Sequence, residues 1–227
     1  MRSFQIIALS FLFIFGLADC KKSSGRNFNE GEIHYSISYI GRQGSVSEAL
    51  LPDMMVVKFK DNKVLMEIMT PIGSNGVFNI IDPAQNRIDT YMRLLGMKFC
   101  YYGEYGEIPP GIDPMKDLVI EQTGEEKEIF GLNCMKAKGS LAETEYEFDL
   151  WYTDEIGITD PNFSTPYSSI DGVLMTFFYR MGDMIVEFNA EGIYTKSVSD
   201  KDLIVDEDYR NIDRKNMDSI ISKMMNL

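Results

Sequence analysis

Apolar and polar residues alternate along most of this chain, and this alternation constrains its fold more than any other feature. In residues 31–40, for example, Ile33, Tyr35 and Ile37 are separated by polar side chains. A period of two places successive side chains on opposite faces of a β-strand. On this basis we predict strands at residues 31–40, 54–60, 63–69, 77–82, 87–94, 96–102, 118–122, 128–130, 133–138, 145–152, 173–179, 185–190, 193–198 and 203–205. Asp61-Asn62 is a hairpin signal between two of these strands.

Only the C-terminus has the periodicity of a helix. In residues 214–225, Met217, Ile220, Ile221 and Met224 recur at helical spacing, and Asp213 precedes them as a candidate cap. A meander of about a dozen strands must curl or split into two sheets. The predicted fold class is therefore mainly β (α+β): a curved antiparallel sheet or half-barrel with a C-terminal helix.

The N-terminus has the features of an export signal. Arg2 is followed by an apolar run at residues 4–17, which is shorter than the roughly 20 residues that a transmembrane helix needs. The next residues, 17–20 (LADC), resemble the lipobox of bacterial lipoproteins, which implies cleavage before Cys20 and lipid attachment to its sulfur. We therefore expect a signal peptide at 1–19, a lipidated tether at 20–29 and one β-rich domain at 30–227.

Composition excludes some classes of partner. The net charge is −13, so nucleic acid, which requires a basic surface, is not an expected partner. Hydrophobic residues make up 44% of the chain, which argues against disorder. Beyond Cys20, the chain has Cys100 and Cys134. An oxidising compartment permits a disulfide between them, and two buried free thiols are the alternative.

The sequence contains no recognisable catalytic constellation. His34 is the only histidine, which excludes a multi-histidine metal centre, and its place on the polar side of the first strand predicts a structural role. No G-x-S-x-G elbow, S-x-x-K motif or glycine-rich phosphate loop occurs. The acidic runs at 125–126 and 206–208 are interpreted as solvated turns. We therefore expect no enzyme activity, no catalytic residue, no metal and no cofactor.

Several short segments resemble a group of Bacteroidetes envelope lipoproteins of unknown function with a LolA/LolB-like fold, the GLPGLI-like or LolA-like superfamily. They are residues 30–35 (EGEIHY), 129–137 (IFGLNCMKA), 151–156 (WYTDEI) and 172–175 (GVLM). The resemblance implies a convex antiparallel sheet around an apolar groove that is plugged by helices or loops. It also implies a lipoprotein of the outer membrane that faces the periplasm, attached to the membrane through its N-terminal lipid.

The leading functional hypothesis is a non-catalytic binding protein for an apolar ligand, either a lipid or a lipidated protein. The chain contains 15 methionines, and methionine suits adaptable apolar surfaces. Strand parity predicts these residues as the groove lining: Ile33, Tyr35, Ile37, Met66, Ile68, Phe148, Leu150 and Phe177.

The alternative is a structural or protein-interaction module of the envelope whose core is filled. It would act through the two irregular stretches at 103–114 and 153–172, because loops often carry function. The expected exposed contacts of these stretches are Tyr105, Ile108, Phe163 and Tyr167. Neither the oligomeric state nor the identity of a ligand follows from the sequence.

Overall fold

The computed structural model describes residues 28–40, 51–71, 75–141, 146–181, 184–205 and 208–225. The predicted signal peptide, Cys20 and most of the tether lie outside these ranges. Within them are twelve strands and one α-helix: β1 (Glu30–Ile40), β2 (Met54–Lys60), β3 (Lys63–Met69), β4 (Gly76–Asp82), β5 (Arg87–Leu94), β6 (Met97–Glu104), β7 (Leu118–Ile129), β8 (Leu132–Leu141), β9 (Glu147–Thr153), β10 (Val173–Met181), β11 (Met184–Tyr194), β12 (Arg210–Asn211) and α1 (Arg214–Met225). No helix in the described ranges is long and apolar enough to cross a membrane.

All twelve strands belong to one sheet, in the order β12-β6-β5-β4-β3-β2-β1-β11-β10-β9-β8-β7. β1 to β6 form one meander and β7 to β11 form another, and antiparallel pairing of β1 with β11 joins the two. The short β12 pairs in parallel with β6 at one edge. The predicted fold class is therefore confirmed: a mainly β protein with a single curved, open sheet and a C-terminal helix.

The two faces of the sheet are covered by different segments. The face that carries Tyr35 of β1 and Phe177 of β10, called the inner face below, packs against loops 105–117 and 154–172 and against α1. The opposite face is covered between β3 and β6 by residues 198–205 and by Tyr209, which bury a smaller cluster around Tyr91 and Cys100. Nearly all of the large core lies on the inner face, because that is where the loops and the helix return.

The β9–β10 junction is only partly closed by strand pairing. The two strands pair from Val173 to Thr176. Farther along β10, the hydroxyl of the fully buried Tyr167 donates to the carbonyl oxygen of Phe178 and accepts from its N–H. Two residues farther along β10, the N–H of Asp113 donates to the carbonyl oxygen of Arg180 at 3.0 Å. Loop residues thus satisfy β10 backbone groups where β9 has diverged.

Several predicted elements are confirmed and others are corrected. Helix α1 begins after Asp213, whose carboxylate accepts from the N–H of Asn216 at 2.9 Å, as a cap does. Residues 118–122 and 128–129 belong to one strand, β7, which is interrupted by a bulge at Gly124 (φ 74°), and Phe130 lies in the turn that follows. Residues 185–190 and the start of 193–198 likewise form the single strand β11, with an irregularity opposite His34/Tyr35.

The predicted strand at 203–205 is wrong. Residues Asp200–Leu203 form a 3-10 turn. At its start, the N–H and hydroxyl of Ser199 both donate to Oδ2 of Asp202, and the Asp202 N–H donates to the carbonyl oxygen of Ser199. The side chain of Leu203 is buried against the outer face of the sheet. Apolar character at this position thus reflects packing over a sheet and not pairing within it.

The disulfide alternative is also corrected. Cys100 and Cys134 are both free and buried. Cys100 lies on β6 and Cys134 on β8, and eight strands stand between them (β5, β4, β3, β2, β1, β11, β10 and β9). A disulfide needs Cα atoms within about 7 Å, so the buried-thiol alternative holds.

Candidate functional site: two apolar cavities on the inner face

The larger cavity on the inner face, called cavity 1, has a volume of about 70 Å³. Its floor consists of inner-face side chains of β1 to β4 and β10, including Tyr35, Val57 and Phe177. Its roof is the segment from Ile158 to Thr165. The Thr159 N–H donates to Oδ1 of Asn62 at 2.8 Å and thereby ties the roof to the β2–β3 turn.

The neighbouring cavity 2 has a volume of about 50 Å³. Strands β1, β3, β4, β10 and β11 form its floor, and Pro110, Ile112 and Ile221 of α1 cover it. Loop and helix approach closely here, because a Cβ on Gly111 (φ +84°) would lie 2.4 Å from Cγ2 of Ile221. Glycine at this position therefore lets α1 close over the cavity.

Two side chains separate the cavities. Met66 of β3 and Tyr179 of β10 line both of them. Methionine is unbranched and has three rotatable side-chain bonds, so Met66 is the movable part of this wall. Burial raises the pKa of the Tyr179 phenol well above its usual range, and its hydroxyl therefore stays protonated.

The structure brings together five of the eight predicted lining residues. Tyr35, Met66 and Phe177 line cavity 1, and Ile37, Met66 and Ile68 line cavity 2. The remaining three lie outside both cavities and fill the core: Ile33, Phe148 and Leu150. Leu150 is fully buried opposite Ala137, and Phe148 lies over Gly139, where a Cβ would meet its ring at 2.1 Å.

The two irregular stretches cover the inner face instead of projecting from it. The Gly106 N–H donates to Oγ of Ser164 at 2.9 Å, and the ring centroids of Tyr105 and Phe163 lie 4.7 Å apart. Of the four residues expected to be exposed, only Phe163 is, at 50%.

The expectation is wrong for Tyr167, which is fully buried because its hydroxyl bonds to the backbone of Phe178. Tyr105 and Ile108 are half-buried.

Two residues of the site were missed by strand parity. Tyr179 and Asn79 both line cavity 2 and are almost completely buried. Asn79 interrupts an otherwise apolar strand between Val77 and Ile81. A single amide at an inward position of such a strand was the signal available in the sequence.

Within the described ranges, no cysteine or histidine lines either cavity. Burial raises the pKa of the Cys134 thiol to about 11, so this thiol is not a nucleophile at neutral pH. His34 lies on the outer side of β1, where its Nε2 pairs with Glu32 at 3.2 Å. Among the described residues, no group of three or more His, Cys, Asp or Glu side chains is placed to hold a metal ion. The expectation that the protein has no cofactor remains a prediction.

Comparisons with known proteins show the fold and no family. No family model and no curated protein matches the chain. PNGF-II is similar in structure, with a TM-score of 0.52 and 15% identity over 86% of the present chain. The match spans 33% of the PNGF-II chain, so the present chain corresponds to one third of that protein's length. At this identity the likeness shows a shared fold alone.

Two further structures match at lower scores. The Mycobacterium tuberculosis lipoprotein LppX has a TM-score of 0.30 and 10% identity, with 74% of this chain and 88% of LppX covered. A LolA superfamily protein from Nitrosomonas europaea has a TM-score of 0.33 and 7% identity, with 79% and 93% covered. At these scores, similarity to either protein carries no argument about ligand or location.

Proposed function

We propose that this protein is a non-catalytic lipoprotein of the bacterial envelope that binds an acyl chain, of a lipid or a lipidated protein, on the inner face of its sheet. The lipid on Cys20 would hold it in the outer membrane, with the domain in the periplasm. The observation that carries the binding role is the pair of apolar cavities that meet at Met66 beneath two covering loops.

The size of the cavities determines how such a ligand would enter. An apolar cavity of about 150 Å³ accommodates benzene, so cavities of about 70 and 50 Å³ each hold only a few carbon atoms. A longer acyl chain must occupy both cavities, and Met66 must move to join them. Rotation of an unbranched thioether side chain is a small rearrangement compared with opening a packed core.

The covering loops define the route to the cavities. Thr159 and Asp160 are exposed at the rim of cavity 1. Two hydrogen bonds hold this rim: the Thr159 N–H donates to Asn62 at 2.8 Å, and the Asp160 carbonyl oxygen accepts a long bond from the Tyr105 hydroxyl at 3.5 Å. A neutral hydrogen bond contributes about 0.5–1.5 kcal/mol net. Opening at this rim therefore requires little free energy compared with a total stability of about 5–15 kcal/mol.

The first test is native mass spectrometry of the protein purified from cells, followed by solvent extraction. A bound acyl compound at one copy per protein supports the proposal. A ligand-free mass that does not change after incubation with monodecanoylglycerol would overturn it and would favour the filled-core interaction module, with the exposed Phe163 and its partner Tyr105 as the contact surface.

A matched pair of substitutions tests the location of the site. Met66→Gln places an amide in the half-buried wall that both cavities share. A bound acyl chain would remove water from this amide without replacing its hydrogen bonds, which costs about 1–3 kcal/mol. Monodecanoylglycerol binding should therefore weaken at least about fivefold. Met54→Gln on the neighbouring strand changes an exposed side chain (49%) and should leave affinity unchanged. Equal affinity of the two variants would contradict this location.

A further inference from the structure

Cavity 2 contains two almost completely buried polar side chains with unused hydrogen-bonding capacity. Asn79 is 5% exposed and Tyr179 is 4% exposed. Both line the cavity, in a wall that is otherwise mainly apolar. Buried polar groups are nearly always hydrogen-bonded, because leaving them unpaired costs free energy. Among the described residues, the one fully enclosed side-chain polar atom without a partner is Oδ1 of Asp89. The polar atoms of Asn79 and Tyr179 therefore border the open space of the cavity, where a polar atom of a bound molecule can reach both.

Asn79 presents an amide N–H₂ group to this cavity. Its Oδ1 accepts from the hydroxyl of Thr90, the residue directly across from it on β5, at 2.8 Å. Its Nδ2 has no hydrogen-bond partner among the described residues. One end of the amide is thus fixed by the neighbouring strand, and the other end remains available as a donor.

Tyr179 differs from the other buried tyrosines of the core. Tyr35 donates to the carbonyl oxygen of Leu174 at 2.9 Å, and Tyr167 bonds to the backbone of Phe178. The Tyr179 hydroxyl has no such partner within the part of the chain that the structure describes. Since the phenol stays protonated, it is a second available donor.

The charge of the cavity limits what these donors can hold. Among the described residues, none with a charge lines cavity 2, so an ionised carboxylate there would lack a counter-charge and would be unfavourable. A neutral carbonyl oxygen has lone pairs for two donors and needs no counter-charge. Apolar walls formed by Ile37, Ile68 and Phe188 suit the hydrocarbon next to it.

We infer that the ligand is an acyl ester or amide whose neutral carbonyl oxygen lies in cavity 2 and accepts hydrogen bonds from Nδ2 of Asn79 and from the hydroxyl of Tyr179. Its acyl tail runs past Met66 into cavity 1. This inference rests on the proposed function and adds to it the chemical class of the ligand: an ester or amide, in preference to a free fatty acid or a plain hydrocarbon.

Two probes that differ only at the carbonyl provide the test. Methyl octanoate and octyl methyl ether have the same length and the same ether oxygen, but the ether has CH₂ in place of C=O. Their affinities for the wild-type protein are measured by isothermal titration, and the bound ester is followed by the ¹³C shift of a labelled carbonyl. One neutral hydrogen bond corresponds to roughly a three- to tenfold difference in affinity, so the wild type should prefer the ester by at least about threefold.

Tyr179→Phe is the main variant, because it removes a hydroxyl without leaving any partner unpaired. It should weaken ester binding about three- to tenfold, lower the ratio of ester affinity to ether affinity towards one and shift the bound carbonyl resonance. Its urea midpoint should equal or exceed that of the wild type. Asn79→Leu combined with Thr90→Val removes the second donor and its partner together and should act on the ester in the same way.

The outcomes distinguish a failure of this inference from a failure of the proposed function. If neither probe binds, the proposed function fails, and the inference fails with it. If both probes bind equally and Tyr179→Phe changes nothing, water occupies the polar end of cavity 2; the acyl-binding function then stands and the carbonyl assignment is overturned. An ester preference that Tyr179→Phe abolishes supports both.

Discussion

Replacing Tyr167 by phenylalanine tests how the gap between β9 and β10 is closed. The hydroxyl of this fully buried side chain donates to the carbonyl oxygen of Phe178 and accepts from its N–H at 3.4 Å. One oxygen thus replaces the donor and acceptor that a neighbouring strand would offer to the backbone of Phe178. Tyr167→Phe keeps the ring and removes this oxygen, so that a backbone donor and a backbone acceptor lose their partner in the core.

The expected loss follows from the number of groups left unpaired. A buried polar group without a partner costs about 1–3 kcal/mol, and two groups are affected, one of them through a long and weaker bond. We therefore expect unfolding free energy to fall by about 2–4 kcal/mol, a large part of a typical stability of about 5–15 kcal/mol. The effect should be a lower urea midpoint at an unchanged slope.

The matched control is Tyr194→Phe, whose side chain is 49% exposed. This change should alter stability by no more than about 0.5 kcal/mol. Amide hydrogen exchange at Phe178 gives a second readout, because its N–H should lose protection in Tyr167→Phe and keep it in the control. A Tyr167→Phe midpoint equal to that of the control would refute the reasoning that the hydroxyl substitutes for a strand.

Two further predictions concern pH and the membrane. Burial raises the pKa values of Tyr35, Tyr167 and Tyr179 above those of the unfolded chain. Their contribution to stability is therefore complete below the unfolded pKa near 10 and is lost as pH rises above it. The free energy of unfolding should then fall with a slope that approaches about 4 kcal/mol per pH unit for three tyrosines. Urea midpoints between pH 9 and 12 measure it, and midpoints that stay constant over this range would contradict it. Cys20→Ser should abolish incorporation of labelled palmitate and move the protein from the membrane to the soluble fraction, whereas unchanged sedimentation with membranes would argue against lipid anchoring.

The sequence predicted the local structure well because local structure depends on neighbouring residues. Alternation located the strands, and Asp61 and Asn62 both adopt positive φ values in the β2–β3 turn, as a tight hairpin requires. The errors occurred where distant contacts decide the outcome. Leu203 is buried by lying over the sheet, and the separation of Cys100 from Cys134 depends on the order of strands far apart in the chain.

The candidate site shows the same division. Strand parity placed Tyr35, Ile37, Met66, Ile68 and Phe177 on the face that contains the cavities. Parity could not distinguish them from side chains that fill the core, because cavities remain only where the covering loops and α1 fail to reach the sheet. The sequence also could not predict which polar groups of cavity 2 are left without a partner, because hydrogen-bond partners are brought together only by the fold.

The position of β1 in the sheet has a consequence for how the protein is made. β1 precedes the other described strands in the chain but lies between β2 and β11, and Glu32 of β1 pairs with Tyr194 of β11. While the ribosome is still producing the second meander, β2 can pair with β1 but the other edge of β1 has no partner. An unpaired edge of this length can join another nascent chain. We therefore expect newly made copies to depend on holding factors until β11 has been made, and truncation before β11 to yield aggregates instead of a smaller folded sheet.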